Sequence, residues 1–77
     1  MEKIYFIGDR ETGTRIEQSS SREELIKKVY KYFKTDLHCS NKKYTSKYYD
    51  YCIDDDEYKT LTRFYIIDNA LFEETLD

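Results

Sequence analysis

The segment Ser20–Lys34 reads SSREELIKKVYKYFK and carries the most regular pattern in this chain of 77 residues. From Leu25 to Phe33, apolar residues recur every three to four positions, which predicts one buried stripe on an amphipathic helix. A serine followed three residues later by a glutamate occurs twice at its start, and this is the capping-box pattern. We therefore predict a helix over about Arg22–Lys34, with lysines on its outer side.

Strands are predicted on both sides of this helix. Residues 3–7 and 14–18 are rich in β-branched and aromatic types, and the six residues from Gly8 to Gly13 between them predict a hairpin with two glycines at positive φ. After the helix, residues 35–45 show no period and are predicted as a loop. Residues 47–54 alternate between two faces, and residues 58–67 form a longer returning strand.

The predicted fold class is α+β: a small antiparallel sheet of ββαββ order packed against one amphipathic helix. From Asp68 onward we predict a short C-terminal turn or helix, capped by Asp68 or Asn69. Residues 1–77 are expected to form a single domain with a thin core, because a chain of this length buries only about 60–65% of its unfolded surface. The aromatic fraction of 17% favours a folded chain over a disordered one.

No apolar run resembles a signal peptide or approaches the ~20 residues needed to span a bilayer. We therefore expect a soluble, cytoplasmic protein. In that compartment Cys39 and Cys52 are expected to be free thiols, and a disulfide between them is the alternative.

Charge is sorted along the chain. Residues 27–47 contain seven lysines and one aspartate, whereas residues 48–77 contain nine acids and only two cations. Five of the nine tyrosines lie between Tyr44 and Tyr58, where the sign changes. Separate cationic and anionic patches are therefore expected on the folded protein.

Catalytic and metal-binding patterns are not found. His38 is the only histidine, and its neighbour Cys39 is expected to point elsewhere, because adjacent side chains diverge on a helix or a strand. The cysteines lack the paired spacing of structural zinc sites, and the acids lack the glycine and final glutamate of a calcium loop. We expect no enzyme activity, no metal and no cofactor.

The acidic, tyrosine-rich end predicts a site for a protein partner. Carboxylates would meet a basic surface, and tyrosines would supply anchoring contacts. The lead hypothesis is a non-enzymatic binding module, an inhibitor or modulator that occupies a basic site on a larger protein. A nucleic-acid-binding protein is one class of target with such a site. A solvated acidic face with structural tyrosines is the alternative interpretation. The candidate partner-binding residues are Tyr48, Tyr49, Asp50, Tyr51, Asp54, Asp55, Asp56, Glu57, Tyr58, Glu73 and Glu74.

In size, acidity and lack of catalytic groups, the chain resembles small phage-encoded inhibitors of restriction or CRISPR nucleases. This resemblance is one of composition and includes no diagnostic motif. It implies a nucleic-acid mimic whose carboxylates take the place of phosphates in a basic groove.

Two further hypotheses use the cationic middle segment. Lysines interleaved with rings are typical of single-strand nucleic-acid binding, in which bases stack on the aromatic side chains. Alternatively, the helix lysines of one copy could pair with the acidic end of another in a homodimer. The candidate nucleic-acid-binding residues are Lys27, Lys31, Lys34, Lys42, Lys43 and Tyr44.

Overall fold

A computed structural model describes residues 3–40 and 49–76. Its elements follow the order ββαβββ, so the chain is an α+β protein with one helix and a five-stranded antiparallel sheet. The predicted class is confirmed, but the predicted ββαββ order lacked the fifth strand. The elements are β1 Tyr5–Asp9, β2 Thr14–Ser19, α1 Arg22–Ser40, β3 Tyr51–Asp55, β4 Thr60–Ile67 and β5 Ala70–Thr75.

The strands lie in the order β2-β1-β3-β4-β5, and every neighbouring pair is antiparallel. The helix packs on one face of the sheet, against β1, β2 and β3. We call this the helix face, and the opposite side, which no described element covers, the open face. Alternate residues of each strand point to opposite faces, so Ile7 and Ile53 lie on the helix face while Gly8 and Cys52 lie on the open face.

The core lies between α1 and the helix face. It joins the apolar stripe of the helix to alternate residues of the central strands, which is why both periods were visible in the sequence. Its members are Ile7, Leu25, Val29, Phe33, Tyr49, Ile53, Phe64, Ile66 and Leu71.

The C-terminal helix prediction is wrong, because residues 70–75 form strand β5. Asp68 and Asn69 adopt φ values of 50° and 65° and join Ile67 to Ala70 in a two-residue hairpin. Positive φ at both central positions is the geometry of a type I′ turn, and Asn and Asp tolerate it better than most residues. The two residues interpreted as a helix cap therefore form a hairpin turn.

The helix is longer than predicted, since it continues to Ser40 where a loop from Thr35 was expected. Leu37 lies four residues after Phe33 and packs partly buried against the core, which extends the apolar stripe by one turn. The Thr35 hydroxyl donates to the Lys31 carbonyl at 3.1 Å and so remains compatible with the helix. The rest of the predicted loop, residues 41–45, lies outside the described part of the chain.

The helix start agrees with one of the two predicted capping pairs. The Glu24 N–H donates to the Ser21 hydroxyl at 3.3 Å, so Ser21 is the N-cap. The Glu24 carboxylate accepts from the Ser19 hydroxyl at 3.1 Å, and the Ser21 N–H donates to that same hydroxyl at 3.0 Å. Ser19, which was not in either predicted pair, thus takes part in the cap together with Ser21.

The two glycines of the first hairpin serve different purposes. Gly13 has a φ of 73° in the turn, as predicted. Gly8 instead belongs to β1, where an added Cβ would lie 2.8 Å from Asp54 Oδ2 and 3.3 Å from Cys52 Sγ. Gly8 therefore leaves room on the open face for the Asp54 carboxylate and the Cys52 thiol, rather than forming a turn.

Candidate functional site

The β3–β4 connection is a tight turn organised by the carboxylate of Asp55. Asp55 Oδ1 accepts the backbone N–H groups of Glu57 and Lys59, both at 2.9 Å. The Asp55 N–H also donates to the Lys59 carbonyl at 2.9 Å, and the Asp55 carbonyl accepts the Tyr58 N–H at 3.2 Å. The backbone hydrogen bonds, from Lys59 foremost and from Glu57, lower the pKa of the Asp55 carboxyl. Asp55 is buried, so its part in this turn is structural.

The tip of this turn is exposed and acidic. Asp56, Glu57 and Tyr58, which we call the acidic turn, all face solvent, and Tyr58 is 79% exposed. Tyr58 has a φ of 65°, which is unusual for a bulky side chain and directs its ring back toward β2.

A guanidinium group holds the Tyr58 ring in place. The Arg15 guanidinium carbon lies 4.0 Å from the centre of the Tyr58 ring and 3.9 Å from the centre of the Phe6 ring. Arg15 Nη2 also donates to the Asp55 carbonyl at 3.2 Å. The exposed ring is therefore positioned by contacts on its inner side. Sequence reasoning missed Arg15, because its hydrogen-bond acceptor Asp55 lies 40 residues further along the chain.

The remaining acids of the predicted site are spread over three places. Asp50 is exposed before β3, and its carbonyl accepts the Arg10 N–H at 2.6 Å. Asp54 is half-buried on the open face, where it accepts a bond from the Cys52 thiol at 3.4 Å. Glu73 and Glu74 follow one another on β5, so they lie on opposite faces of the sheet.

Two of the predicted tyrosines belong to the core side of the sheet. Tyr49 is 5% exposed, and its hydroxyl donates to Asp36 at 2.8 Å. Its ring packs edge-on against Phe33 and Tyr51. Burial raises the pKa of Tyr51, whose ring also contacts Tyr32. These rings stabilise the contact between α1 and the sheet, so Tyr58 is the one candidate tyrosine that the described structure exposes. Tyr48 lies outside the described residues.

The candidate lysines of the helix share one face. Lys27, Lys31 and Lys34 recur at helical spacing on α1, and all three are exposed. Lys28 turns toward β2 and forms an ion pair with Glu17 at 3.3 Å. The nucleic-acid candidates Lys42, Lys43 and Tyr44 lie outside the described part of the chain.

An open concavity of about 470 Å³ lies beside the acidic turn, on the open face. Arg10, Arg15, Cys52, Asp54 and Tyr58 are among the residues that line it. Burial raises the pKa of the Cys52 thiol, and the nearby carboxylate of Asp54 adds to this. A buried, protonated thiol is a weak nucleophile, so this arrangement favours structural packing over chemistry at Cys52.

No family model, curated protein or solved structure matches this chain. Within residues 3–40 and 49–76, no helix has the length and apolar character needed to cross a membrane.

Proposed function

We propose that this protein is a non-enzymatic binding module that places its acidic turn in a basic site of a larger protein and thereby inhibits or modulates that protein. One observation carries the proposal: an exposed tyrosine ring and two exposed carboxylates are held on a turn whose backbone is fixed by Asp55 and Arg15. A rigid surface loses little conformational entropy when it docks, so its contacts contribute more fully to affinity.

The chemistry of the acidic turn favours a cationic protein surface. Tyrosine and arginine are enriched in interface hot spots, and the Tyr58 hydroxyl and ring can contact an arginine-rich site directly. A groove that normally holds nucleic acid offers such cations, so a nucleic-acid-binding enzyme is the proposed class of partner. The proposed setting is the cytoplasm, where such enzymes act.

The test compares capture by the wild-type protein with capture by two double variants. D56N/E57Q removes both exposed charges and leaves Asp55 intact. E11Q/D68N removes two exposed charges from other turns and is the matched control. Each protein is immobilised and exposed to lysate of the organism that encodes it, at low salt and at about 0.15 M salt, where the Debye length is ~8 Å. We expect D56N/E57Q to lose the retained partner while E11Q/D68N keeps it.

A third variant separates the ring from the charges. Tyr58→Gly removes the ring contact to Arg15 and also relieves a left-handed backbone, two effects of about 1 kcal/mol and opposite sign. The free energy of unfolding should therefore change little while partner capture falls. Equal capture by the wild type, D56N/E57Q and Y58G at both salt concentrations would refute the proposed function.

A second candidate function is supported by the lysine stripe of α1. Lys27, Lys31 and Lys34 follow at helical spacing and are all exposed, so they can track a phosphate backbone. A gel-shift titration with single-stranded DNA and RNA tests this candidate, and binding should weaken steeply as salt rises. The absence of a shift at micromolar protein in low salt would eliminate this candidate.

The homodimer hypothesis, in which the helix lysines of one copy pair with the acidic end of another, has its own test. Sedimentation at two salt concentrations measures the oligomeric state, and a monomer under both conditions would exclude the homodimer.

A further inference from the structure

The two edges of the sheet differ in regularity. At the β2 edge, pairing with β1 is interrupted by a register shift between Ile7 and Gly8. At the β5 edge, six consecutive residues pair with β4 from Ala70 to Thr75 without a shift. Bulges are one way in which proteins make an edge unsuitable for further pairing, and β5 lacks this protection.

The phase of hydrogen bonding along β5 follows from one bond beyond its end. The Leu76 N–H donates to the Leu61 carbonyl at 2.8 Å. In an antiparallel pair the direction of the backbone polar groups alternates with every residue. The N–H and C=O groups of Phe72 and Glu74 therefore point toward β4, whereas those of Leu71, Glu73 and Thr75 point outward. No described strand lies on that outer side of β5.

The side chains of β5 define what an added strand would meet. Leu71 and Glu73 project to the helix face, whereas Phe72 and Glu74 project to the open face. Phe72 is 50% exposed, and this exposed part of the side chain is available for burial by an added strand. Read along β5, the buried Leu71 and the half-exposed Phe72 are followed by two carboxylates.

We propose that β5 is a strand-addition site for an extended segment of the partner protein, in which two adjacent cations precede two adjacent apolar residues. This order results from antiparallel pairing, which continues the pattern of the whole sheet: the cations lie opposite Glu74 and Glu73, and the apolar residues opposite Phe72 and Leu71. The inference rests on the proposed docking function and specifies the kind of segment that docks.

Charge argues against a second copy of β5 as the occupant. The strand carries two glutamates and no cation. A two-fold pairing centred on Glu73 places its carboxylate opposite that of the other copy, and like charges directly opposite each other are destabilising. A cationic segment removes this repulsion.

The probe is a capped synthetic peptide, Thr-Lys-Lys-Val-Ile-Thr, titrated into the full-length ¹⁵N-labelled protein. Its control is Thr-Lys-Val-Lys-Ile-Thr, which has the same composition and charge but places a cation opposite Phe72. We expect the first peptide to slow hydrogen exchange at the N–H groups of Leu71, Glu73 and Thr75 by about tenfold when saturating. The control should bind roughly threefold to tenfold more weakly, because two cross-strand pairs are mismatched.

Variants at Glu73 separate the backbone contribution from the charge. E73Q keeps the outward N–H and should weaken peptide binding only through the lost ion pair, whereas E73P also removes that N–H and should abolish binding. Proline is tolerated on edge strands where no ladder bond is lost. If E73P does not fold, the inference is tested by hydrogen exchange of the wild-type protein alone, at Leu71, Glu73 and Thr75 with the peptide bound.

Three results would overturn the inference: no binding at millimolar peptide, equal binding of the two peptides, or binding that leaves exchange at Leu71, Glu73 and Thr75 unchanged. The D56N/E57Q variant should bind the first peptide as the wild type does. Loss of partner capture by that variant together with failure of the peptide would refute strand addition alone. Peptide binding without any role of the acidic turn in capture would refute the turn proposal alone.

Discussion

The half of the sheet beneath the helix and the β4–β5 hairpin are built from similar strands but have different surroundings. In the first half, β1 and β3 are central strands and Ile7 and Ile53 are fully buried. In the hairpin, Phe64 and Ile66 of β4 are also buried on the helix face, but Ile67 and Phe72 are 58% and 50% exposed, and β5 is an edge strand. The helix packs on β1, β2 and β3 and reaches β4 through side chains such as Tyr30, whose ring contacts Phe64 edge-on.

This difference indicates a division of roles. Burial of apolar area stabilises the half under the helix and the inner side of β4, whereas β5 and the acidic turn keep exposed side chains, and β5 also keeps outward backbone groups, for the proposed docking. Local stability should follow the same division, since openings with low free energy occur where few apolar contacts are buried.

The largest expected effect compares two isoleucines. Ile7→Ala removes a fully buried side chain and leaves a cavity, so it should cost about 2–5 kcal/mol of unfolding free energy. Ile67→Ala should cost less than about 1 kcal/mol, because the side chain already contacts solvent. Urea denaturation followed by circular dichroism measures both. Similar losses at the two positions would contradict the difference in burial between the helix face at Ile7 and the exposed end of β4 at Ile67.

The next effect concerns two glycines. Gly8→Ala should destabilise the protein by about 1 kcal/mol, because its Cβ would displace the Asp54 carboxylate, 2.8 Å away, and crowd Cys52 Sγ at 3.3 Å. At Gly13 an added Cβ would meet no atom within 4 Å. Gly13→Ala should still lower the unfolding free energy by about 1–2 kcal/mol, because the φ of 73° is unfavourable for alanine. The double variant G8A/D54A tests the cause: it should recover part of the Gly8→Ala loss, whereas D54A should leave the effect of G13A unchanged.

A smaller effect comes from the hydrogen bond that Tyr32 donates to Glu17 between α1 and β2. Tyr32→Phe should cost about 1 kcal/mol near neutral pH. The bond lowers the pKa of Glu17 and raises that of Tyr32 to about 12. Its contribution should therefore fade as pH falls through the lowered pKa of Glu17. In base, it is fully present below about pH 10, the ordinary tyrosine value, and disappears as pH rises toward 12.

Unfolding of the wild type and Y32F at a series of pH values measures this window. The difference between them should be constant from about pH 5 to pH 9 and shrink on both sides. A difference that did not change with pH would show that lost packing, rather than the hydrogen bond, accounts for the destabilisation.

The smallest expected effect strengthens the exposed hairpin. Asn69 has a φ of 65° in the turn, and glycine adopts this conformation without steric cost. Asn69→Gly should raise the unfolding free energy by roughly 0.5 kcal/mol and slow hydrogen exchange at Phe72 and Glu74. A decrease in stability would mean that the Asn69 side chain contributes more than its backbone costs.

Much of the fold could be predicted where the pattern is local. The stripe of α1, its serine cap and the alternation of Ile53 with its neighbours follow from side-chain spacing over a few residues. The positions of single candidates could not be predicted in this way. Asp55 and Asp56 are adjacent acids, yet Asp55 is buried as the cap of a turn and Asp56 is exposed. Tyr49 and Tyr58 likewise differ in burial, because only Tyr49 faces the helix.

Local sequence thus accounts for the helix start, the apolar faces of the strands and the separation of lysines from acids along the chain, because these depend on neighbours in sequence. The extension of α1 to Ser40, the pairing of β5 and the position of Arg15 against Tyr58 depend on residues far apart in the chain. Long-range packing selects among conformations that are close in local free energy, and among the described residues it also determines which carboxylates and tyrosines remain exposed.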